Sequence, residues 1–159
     1  MKALVIIGAG IAALVVLAVV VVLAGGSRPA TTYPADTPEG TFQRYYAAFE
    51  EGDFGAAYAF LSVRVTERIS FEEYERQAED SSVGFEGGPA RRILFDKVTG
   101  GGGRRTLHLT VEEFYGDGLD ASRNRYQVNV RMVLEDGAWR IDEPLVGVNQ
   151  GYFPALPEG

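Results

Sequence analysis

A carboxylate and several tyrosines are the residues in this sequence best suited to catalysis. Asp96 lies in a segment, residues 91–98, in which apolar and polar residues alternate as in a β-strand. If Leu94, Asp96 and Val98 faced the interior, desolvation would raise the pKa of Asp96 and make it a usable general base. The tyrosines that could stabilise a developing oxyanion are Tyr45, Tyr46 and Tyr126.

The same strand also fits the opposite orientation. Ile93 and Phe95 would then face the interior, and Asp96 would lie in water beside Lys97. We expect this second orientation, because a lone buried carboxylate is costly. The direction of Asp96 therefore separates an enzyme from a non-catalytic domain.

Other catalytic and metal sites find little support. His108 is the single histidine, and the alternation of its strand directs it to solvent with no second ligand at site spacing. Asp117, Asp120 and Asn124 share one loop but lack the spacing of a calcium loop. The chain has no cysteine, which removes thiol nucleophiles and zinc-thiolate sites. We expect no metal and no cofactor.

Aromatic side chains suggest a binding function instead. Such residues are more often core than ligand contacts, but apolar strand positions that face inward can also enclose an apolar ligand. The predicted ligand-binding residues are Tyr45, Tyr46, Tyr58, Tyr126 and Trp139.

The charge of the chain limits its partners. Beyond Arg28 there are 22 acidic residues against 13 basic ones, a net charge of −9. A domain with this charge repels nucleic acid and anionic lipid headgroups. We therefore expect no nucleic-acid partner.

An apolar segment at the start of the chain predicts a membrane anchor. Residues 3–24 form an unbroken run of 22 positions without a charge, an amide or a hydroxyl. As a helix, this run is long enough to cross a hydrocarbon core of about 30 Å. A cleavable signal peptide, the alternative, has a shorter core of about 7–15 residues. Lys2 before the run weakly favours a cytoplasmic N-terminus and an extracytoplasmic C-terminal domain.

The rest of the chain divides into a linker, one domain and a tail. The predicted organisation is a transmembrane signal anchor over 1–26, a flexible linker over 27–36, a domain over 37–144 and a C-terminal tail over 145–159. The linker is rich in Gly and Pro and lacks apolar periodicity. The tail is apolar from Leu145 to Phe153, so we expect it to pack back on the domain.

Three helices and four strands are predicted in the domain. The first helix begins with Thr37 as cap and Pro38 in its first turn, and Gly52 ends it. The second runs from Phe54 to about Leu61, and the third begins after a capping box formed by Ser70 and Glu73. The predicted strands are residues 91–98, 104–115, 125–135 and 138–142.

The strands predict an antiparallel meander with one buried face. Leu107, Leu109 and Val111 alternate on the second strand, and residues 126–134 alternate in the same way on the third. Asp136 and Gly137 form a strong two-residue hairpin signal. The predicted fold class is therefore α+β, with three helices packed on a curved four-stranded antiparallel sheet behind a transmembrane helix.

Three stretches resemble the nuclear transport factor 2-like superfamily, which includes ketosteroid isomerase and polyketide cyclase relatives. They are residues 37–58, which contain the Gly52-Asp53 break between two helices, residues 69–74, and the closing hairpin at residues 134–142. The resemblance implies a cone of helices against a curved sheet. It also implies the catalytic alternative, a small isomerase or cyclase with Asp96 as general base.

We favour a membrane-tethered, extracytoplasmic and non-catalytic domain that binds a ligand or a protein. Its predicted partners are the membrane, through residues 3–24, and either an envelope protein or a small apolar ligand. A passive envelope spacer is a further alternative. The charged outer face of the sheet predicts a monomer or a weak dimer, because stable interfaces are depleted of charge at their centre.

Overall fold

The computed structural model describes residues 31–82, 90–116 and 122–150. All elements given below belong to the compact unit Tyr33–Gly159. The predicted anchor over residues 1–26 lies outside the described residues. Within them, no helix is both long and apolar enough to cross a membrane.

Helix α1, Pro38–Glu50, begins where the sequence predicts it. The Thr37 hydroxyl caps the helix by accepting a hydrogen bond from the Gly40 N–H at 3.1 Å. Phe42, Tyr45 and Phe49 lie on one side of α1 and are buried in the core.

The second predicted helix is shorter than expected, and an additional helix follows it. Helix α2 is Phe54–Tyr58 and helix α3 is Val63–Thr66, so the prediction of one helix ending near Leu61 is wrong. The chain extends between them because Leu61 forms a parallel bridge with Ile141 at the edge of the sheet. Ser62 then begins α3, since its hydroxyl accepts from the Val65 N–H.

Helix α4, Phe71–Ser82, is capped in part as predicted. The Ser70 hydroxyl accepts from the Glu73 N–H at 3.3 Å. The carboxylate of Glu73 instead accepts from Gln77 and Arg76, on the next turn. Ile69 before the cap and Tyr74 in the first turns of the helix are both buried in the core, as in a hydrophobic staple.

The strands form one antiparallel sheet in the order β1-β2-β3-β4, which confirms the predicted meander. Their bounds are β1 Ala90–Thr99, β2 Arg104–Tyr115, β3 Ser122–Glu135 and β4 Ala138–Ile141. The β3–β4 turn has positive φ angles at Asp136 (48°) and Gly137 (79°). Two consecutive positive φ angles characterise the hairpin turn whose twist matches its strands.

A β-bulge at Asp96 settles the orientation of β1. Phe95 pairs with Leu109 and Lys97 pairs with His108, so Asp96 is the extra residue of the bulge. Ile93 and Phe95 before the bulge pack against the core, and Val98 after it does so as well. The bulge shifts the alternation by one residue, so Ile93, Phe95 and Val98 all reach the core. In a regular strand Val98 would lie on the face opposite to Ile93 and Phe95.

The helices and one face of the sheet share the hydrophobic core, and we call this the inner face. The α+β prediction is confirmed for this part of the chain. Leu107, Leu109, Val111, Val130 and Met132 are fully buried on the inner face. Leu134 is an exception, because it remains 43% exposed on the strand that precedes the hairpin.

The opposite, outer face is less exposed than the alternation predicts. Thr110 and Glu112 are only 3% and 6% exposed. The Thr110 hydroxyl donates to Asp96 at 2.7 Å. Three arginines lie within 4.0 Å of the Glu112 carboxylate, namely Arg92, Arg123 and Arg125. The outer face is therefore partly buried at this end of the sheet.

A short hairpin, β5 Leu145–Val146 and β6 Asn149–Gln150, follows the sheet. Leu145, Val146 and Val148 are buried in the core, which confirms for these residues that the tail packs back on the domain. Gly147 has a φ of +61°, and a β-carbon there would lie 2.9 Å from the Phe49 ring. Residues 151–159 of the predicted tail lie outside the described residues.

Candidate functional site

Polar side chains interrupt the apolar inner face at one end of the sheet. Strand register places Arg91, Glu113 and Asn124 side by side across β1, β2 and β3. The next inner row consists of Ile93, Val111 and Tyr126. The sheet therefore holds a row of hydrogen-bonding groups directly beside its apolar core.

Glu113 is the centre of this arrangement. Its Oε1 atom lies 2.9 Å from Arg91 Nε, and the two side chains are only 8% and 15% exposed. Tyr126 donates to the same oxygen at 3.3 Å. The other oxygen accepts from Tyr115 at 2.8 Å and from Asn124 at 3.4 Å. Each carboxylate oxygen of Glu113 thus accepts two hydrogen bonds.

These contacts hold Glu113 in its charged form. Burial raises the pKa of its carboxyl, but the hydrogen bonds from Tyr115, Arg91 and Asn124 outweigh burial and lower the pKa below its usual value. A general base needs a pKa nearer to the working pH and an oxygen open to substrate. Glu113 is therefore suited to hold the arginine and tyrosines in place and not to move protons.

Tyr46 of α1 presents a different kind of group. Its hydroxyl oxygen is buried and forms no hydrogen bond with any residue in the described part of the chain. Burial raises the pKa of the Tyr46 hydroxyl, as do the nearby Tyr126 and the carboxylate of Glu50, which approaches the hydroxyl without reaching hydrogen-bond geometry, whereas Arg91 lowers it. The hydroxyl is thus neutral at physiological pH and available as a hydrogen-bond donor.

The surroundings of Tyr46 are aromatic. Its ring stacks on Phe42, with centroids 6.3 Å apart and planes at 9°. The Phe42 ring in turn contacts Phe95 of β1 edge to face at 5.9 Å. We call Tyr46, Arg91, Glu113, Asn124 and Tyr126 the inner polar cluster. It offers one unused hydroxyl beside apolar and aromatic side chains, which is the usual composition of a small-molecule site.

Two of the predicted ligand-binding tyrosines donate their hydroxyls to backbone carbonyls. Tyr45 is fully buried, and its hydroxyl donates to the Leu145 carbonyl at 2.8 Å. Burial raises the pKa of Tyr45 well above its ordinary value. The Tyr58 hydroxyl donates to the Ile69 carbonyl at 2.6 Å. Both hydroxyls therefore join secondary elements and are occupied by backbone groups.

Trp139 lies apart from the inner polar cluster. Trp139 belongs to β4 and pairs with Leu134 of β3, and its ring is half-buried against the core. The guanidinium carbon of Arg105 lies 5.5 Å from its ring centroid. Of the five predicted aromatic residues, the structure brings only Tyr46 and Tyr126 together at the polar end of the inner face.

The two residues considered for chemistry lie on the outer face. Asp96 is exposed at the bulge and accepts from Thr110. The interior general base that the isomerase alternative requires is therefore not where that alternative places it. His108 also points outward, with its Nε2 atom 2.9 Å from the Thr99 hydroxyl. Within residues 31–82, 90–116 and 122–150, no three His, Asp or Glu side chains converge as a metal site would require.

Sequence reasoning missed Arg91 and Glu113. The alternation that identifies Leu107, Leu109 and Val111 also includes Glu113 when it is extended by two residues. Arg91 is the second residue of β1 and faces Glu113 once the hairpin register is known. The available signal was a charged residue in line with the apolar alternation at the start of β1, Arg91, and another at the end of β2, Glu113.

Comparison with known proteins shows similarity in the course of the backbone. No family model and no curated protein matches the chain. The solved structures similar to it include an NTF-2 like protein of unknown function from Shewanella oneidensis MR-1, at 12% identity and a TM-score of 0.47, covering 69% of this chain and 94% of that one. Another NTF2-like protein, from Campylobacter jejuni, has 14% identity and a TM-score of 0.41, with coverage of 66% and 97%.

A third similar structure is a SEC-C motif containing protein from Rhodopseudomonas palustris. It has 17% identity and a TM-score of 0.48, and the likeness covers 70% of this chain and 79% of that chain. NTF2-like proteins thus occur among the structural neighbours. At these identities, function has to be argued from the residues of this chain.

Proposed function

We propose that this chain is a membrane-tethered, extracytoplasmic domain that binds a small apolar ligand and does no chemistry on it. The observation that carries the proposal is the buried Tyr46 hydroxyl without a hydrogen-bond partner among the described residues. A buried hydroxyl left unpaired costs about 1–3 kcal/mol, so a group that accepts its hydrogen bond stabilises the protein. A ligand with a carbonyl or hydroxyl oxygen supplies such a group.

The neighbouring residues set the remaining chemistry of the ligand. Phe42 and Phe95 offer aromatic faces beside Tyr46. Arg91 and Glu113 neutralise each other, so the inner polar cluster has no net charge to attract an ion. These features favour an uncharged, mostly apolar molecule with one hydrogen-bond acceptor.

Asp96 and Glu113 are the two carboxylates considered as a general base. Asp96 is exposed on the outer face. The pKa of Glu113 is lowered by the hydrogen bonds that Glu113 accepts. Neither group meets the requirements of a general base inside the domain. The buried Glu143 has a pKa nearer to the working pH, but both of its oxygens are engaged by Arg131, through the Arg131 N–H and the Arg131 guanidinium. The membrane tether rests on the apolar run of residues 3–24.

Binding of the neutral ketone dye Prodan to the full-length chain tests the proposal. Its carbonyl is a hydrogen-bond acceptor and its ring system is apolar, so we expect saturable binding with a blue-shifted emission. Tyr46→Phe should weaken binding about tenfold, because one hydrogen bond in an apolar site is lost. Tyr58→Phe removes a hydroxyl oxygen as well, but this hydroxyl already donates to the Ile69 carbonyl. The Tyr58→Phe variant should therefore bind the dye as the natural chain does. No saturable binding would favour the spacer alternative.

A further inference from the structure

A cavity with an unusual charge lies away from the inner polar cluster. It has a volume of about 340 Å³ and is lined by Gly100 and Gly101 of the β1–β2 turn, by Thr106, Met132 and Asp142, and by four arginines. These arginines are Arg64, Arg104, Arg105 and Arg131. Four arginines lining one cavity are unexpected in a chain whose formal net charge is −7.

Neighbouring groups hold three of these arginines in place. Arg64 Nε lies 2.9 Å from Asp142 Oδ1, and Arg131 Nε lies 3.4 Å from Glu143 Oε2. Arg105 donates through Nη1 to the carbonyls of Gly102 and Arg104, each at 2.9 Å. The geometry of the guanidinium groups is thus partly fixed before any ligand arrives, which reduces the entropy lost on binding.

Donor groups remain available in this cavity. Arg105 uses only Nη1 in its hydrogen bonds to the described residues, and Arg131 uses Nε in its ion pair. Arg104 is exposed, and its side chain forms no ion pair within the described residues. Asp142 offsets one of the four positive charges, and Glu143 offsets a second once the pH rises through about 7, which leaves a surplus of positive charge around the cavity.

We propose that this cavity binds an oxyanion of the phosphate type. Guanidinium groups match the oxygens of phosphate with paired N–H donors and stay charged at all physiological pH values. The cavity volume is at the lower end of the range for small-molecule sites, which suits a phosphate group with a small substituent. This inference is independent of the apolar ligand proposed above, because it uses none of the same residues.

Trp139 provides a reporter for the test through its contact with Arg105. It is the only tryptophan of the chain, and Arg105 lies over its ring. We expect inorganic phosphate to change the Trp139 fluorescence of the full-length chain saturably, at constant ionic strength set with sodium chloride. Chloride alone should give no saturable change.

Arg104→Ala is the decisive variant, because the exposed Arg104 side chain can be removed without disturbing the core. It should weaken phosphate binding about tenfold or more, with the melting temperature unchanged. Arg68→Ala, which removes an exposed arginine outside the cavity, should change the affinity less than about twofold. The absence of saturable binding, or equal losses in the two variants, would overturn the proposal.

The source of the oxyanion is tested with short-chain phosphatidic acid below its micelle concentration. If it binds at least tenfold more tightly than inorganic phosphate and depends on Arg104, the oxyanion belongs to a lipid headgroup. If both bind equally and depend on Arg104, the cavity recognises the phosphate alone. Binding of the lipid that Arg104→Ala leaves unchanged, without binding of inorganic phosphate, would contradict the proposal.

Discussion

Glu112 and Glu113 are neighbours in the chain, yet their carboxylates lie on opposite faces of the sheet in two different settings. Glu113 accepts four hydrogen bonds on the inner face, from Arg91, Tyr126, Tyr115 and Asn124. The Glu112 carboxylate lies 3.8–4.0 Å from three arginines that are each more than half exposed. The difference follows from the alternation of side chains along a strand.

This contrast predicts different costs for the same substitution. Glu113→Gln removes charge-assisted hydrogen bonds from a buried site and should destabilise the domain by about 2 kcal/mol or more. Glu112→Gln should cost less, about 1 kcal/mol, because longer contacts to exposed partners contribute little. Urea unfolding of the two variants measures the difference. Equal losses would mean that the inner polar cluster does not organise this end of the sheet.

Trp139 and His108 provide a test of which face is buried. Trp139 is half-buried against the core, so Trp139→Ala should cost about 3 kcal/mol. His108 points outward, and His108→Ala should cost less than about 0.5 kcal/mol. Chemical denaturation provides the comparison. A larger loss for His108 than for Trp139 would refute the assignment of the faces.

Glu143 predicts a pH dependence of stability. Its carboxyl is buried, and burial raises its pKa from 4.5 to about 7 although Arg131 opposes this. The folded state therefore keeps a proton that the unfolded state loses, so this contribution is complete below the unfolded pKa and is lost as the pH rises through about 7. The loss in the free energy of unfolding amounts to at most about 3 kcal/mol.

Glu143→Gln separates this contribution from the other titrating groups. The amide keeps an oxygen that can accept from the Arg131 N–H, as Glu143 Oε1 does at 3.2 Å, but it does not titrate. Between about pH 5 and pH 8 the variant should lose less stability than the natural chain. Thermal unfolding across this range provides the measurement, and parallel curves for the two proteins would disprove the assignment.

The membrane anchor predicts that residues 1–24 remain in the mature protein. The apolar run of residues 3–24 is longer than the core of a typical cleavable signal peptide. Intact-mass analysis of protein extracted from membranes should give a species that includes this segment. A mature chain beginning at Gly25 would show that the segment is a cleaved leader.

Local sequence signals were sufficient to predict most of the fold. Thr37, Pro38 and Gly52 bound the first helix, and the Asp136-Gly137 turn fixed the last hairpin, because each acts through its own backbone conformation. Strand β2 begins and ends where alternation predicts it. These features depend on neighbours in the chain and can therefore be read without the tertiary structure.

The parts that were missed depend on distant residues. Helix α3 follows from the pairing of Leu61 with Ile141, some eighty positions away in the chain. The bulge at Asp96 follows from the pairing of β1 with β2, and it lets Phe95 and Val98 both reach the core. Of the candidate site, Tyr46 and Tyr126 were predicted, whereas Arg91 and Glu113 become partners only through strand register.

The unpaired hydroxyl of Tyr46 predicts that its removal weakens ligand binding without lowering the stability of the unliganded domain. Tyr46→Phe removes a buried polar group that has no partner among the described residues, so the unliganded variant should be as stable as the natural chain or more stable. Tyr58→Phe removes a satisfied hydrogen bond and should cost about 1 kcal/mol. Thermal unfolding without ligand distinguishes them. A Tyr46→Phe variant that is less stable than Tyr58→Phe would mean that the hydroxyl already has a structural partner.

The infrared carbonyl band of bound Prodan tests the proposed binding function most directly, because it reports the hydrogen bond itself. With the natural chain, donation from the Tyr46 hydroxyl should shift the band to lower frequency than in an apolar solvent. With Tyr46→Phe the band should return to the frequency of the apolar solvent, and with Tyr58→Phe it should stay shifted. An identical carbonyl band for the natural chain and Tyr46→Phe would contradict the account.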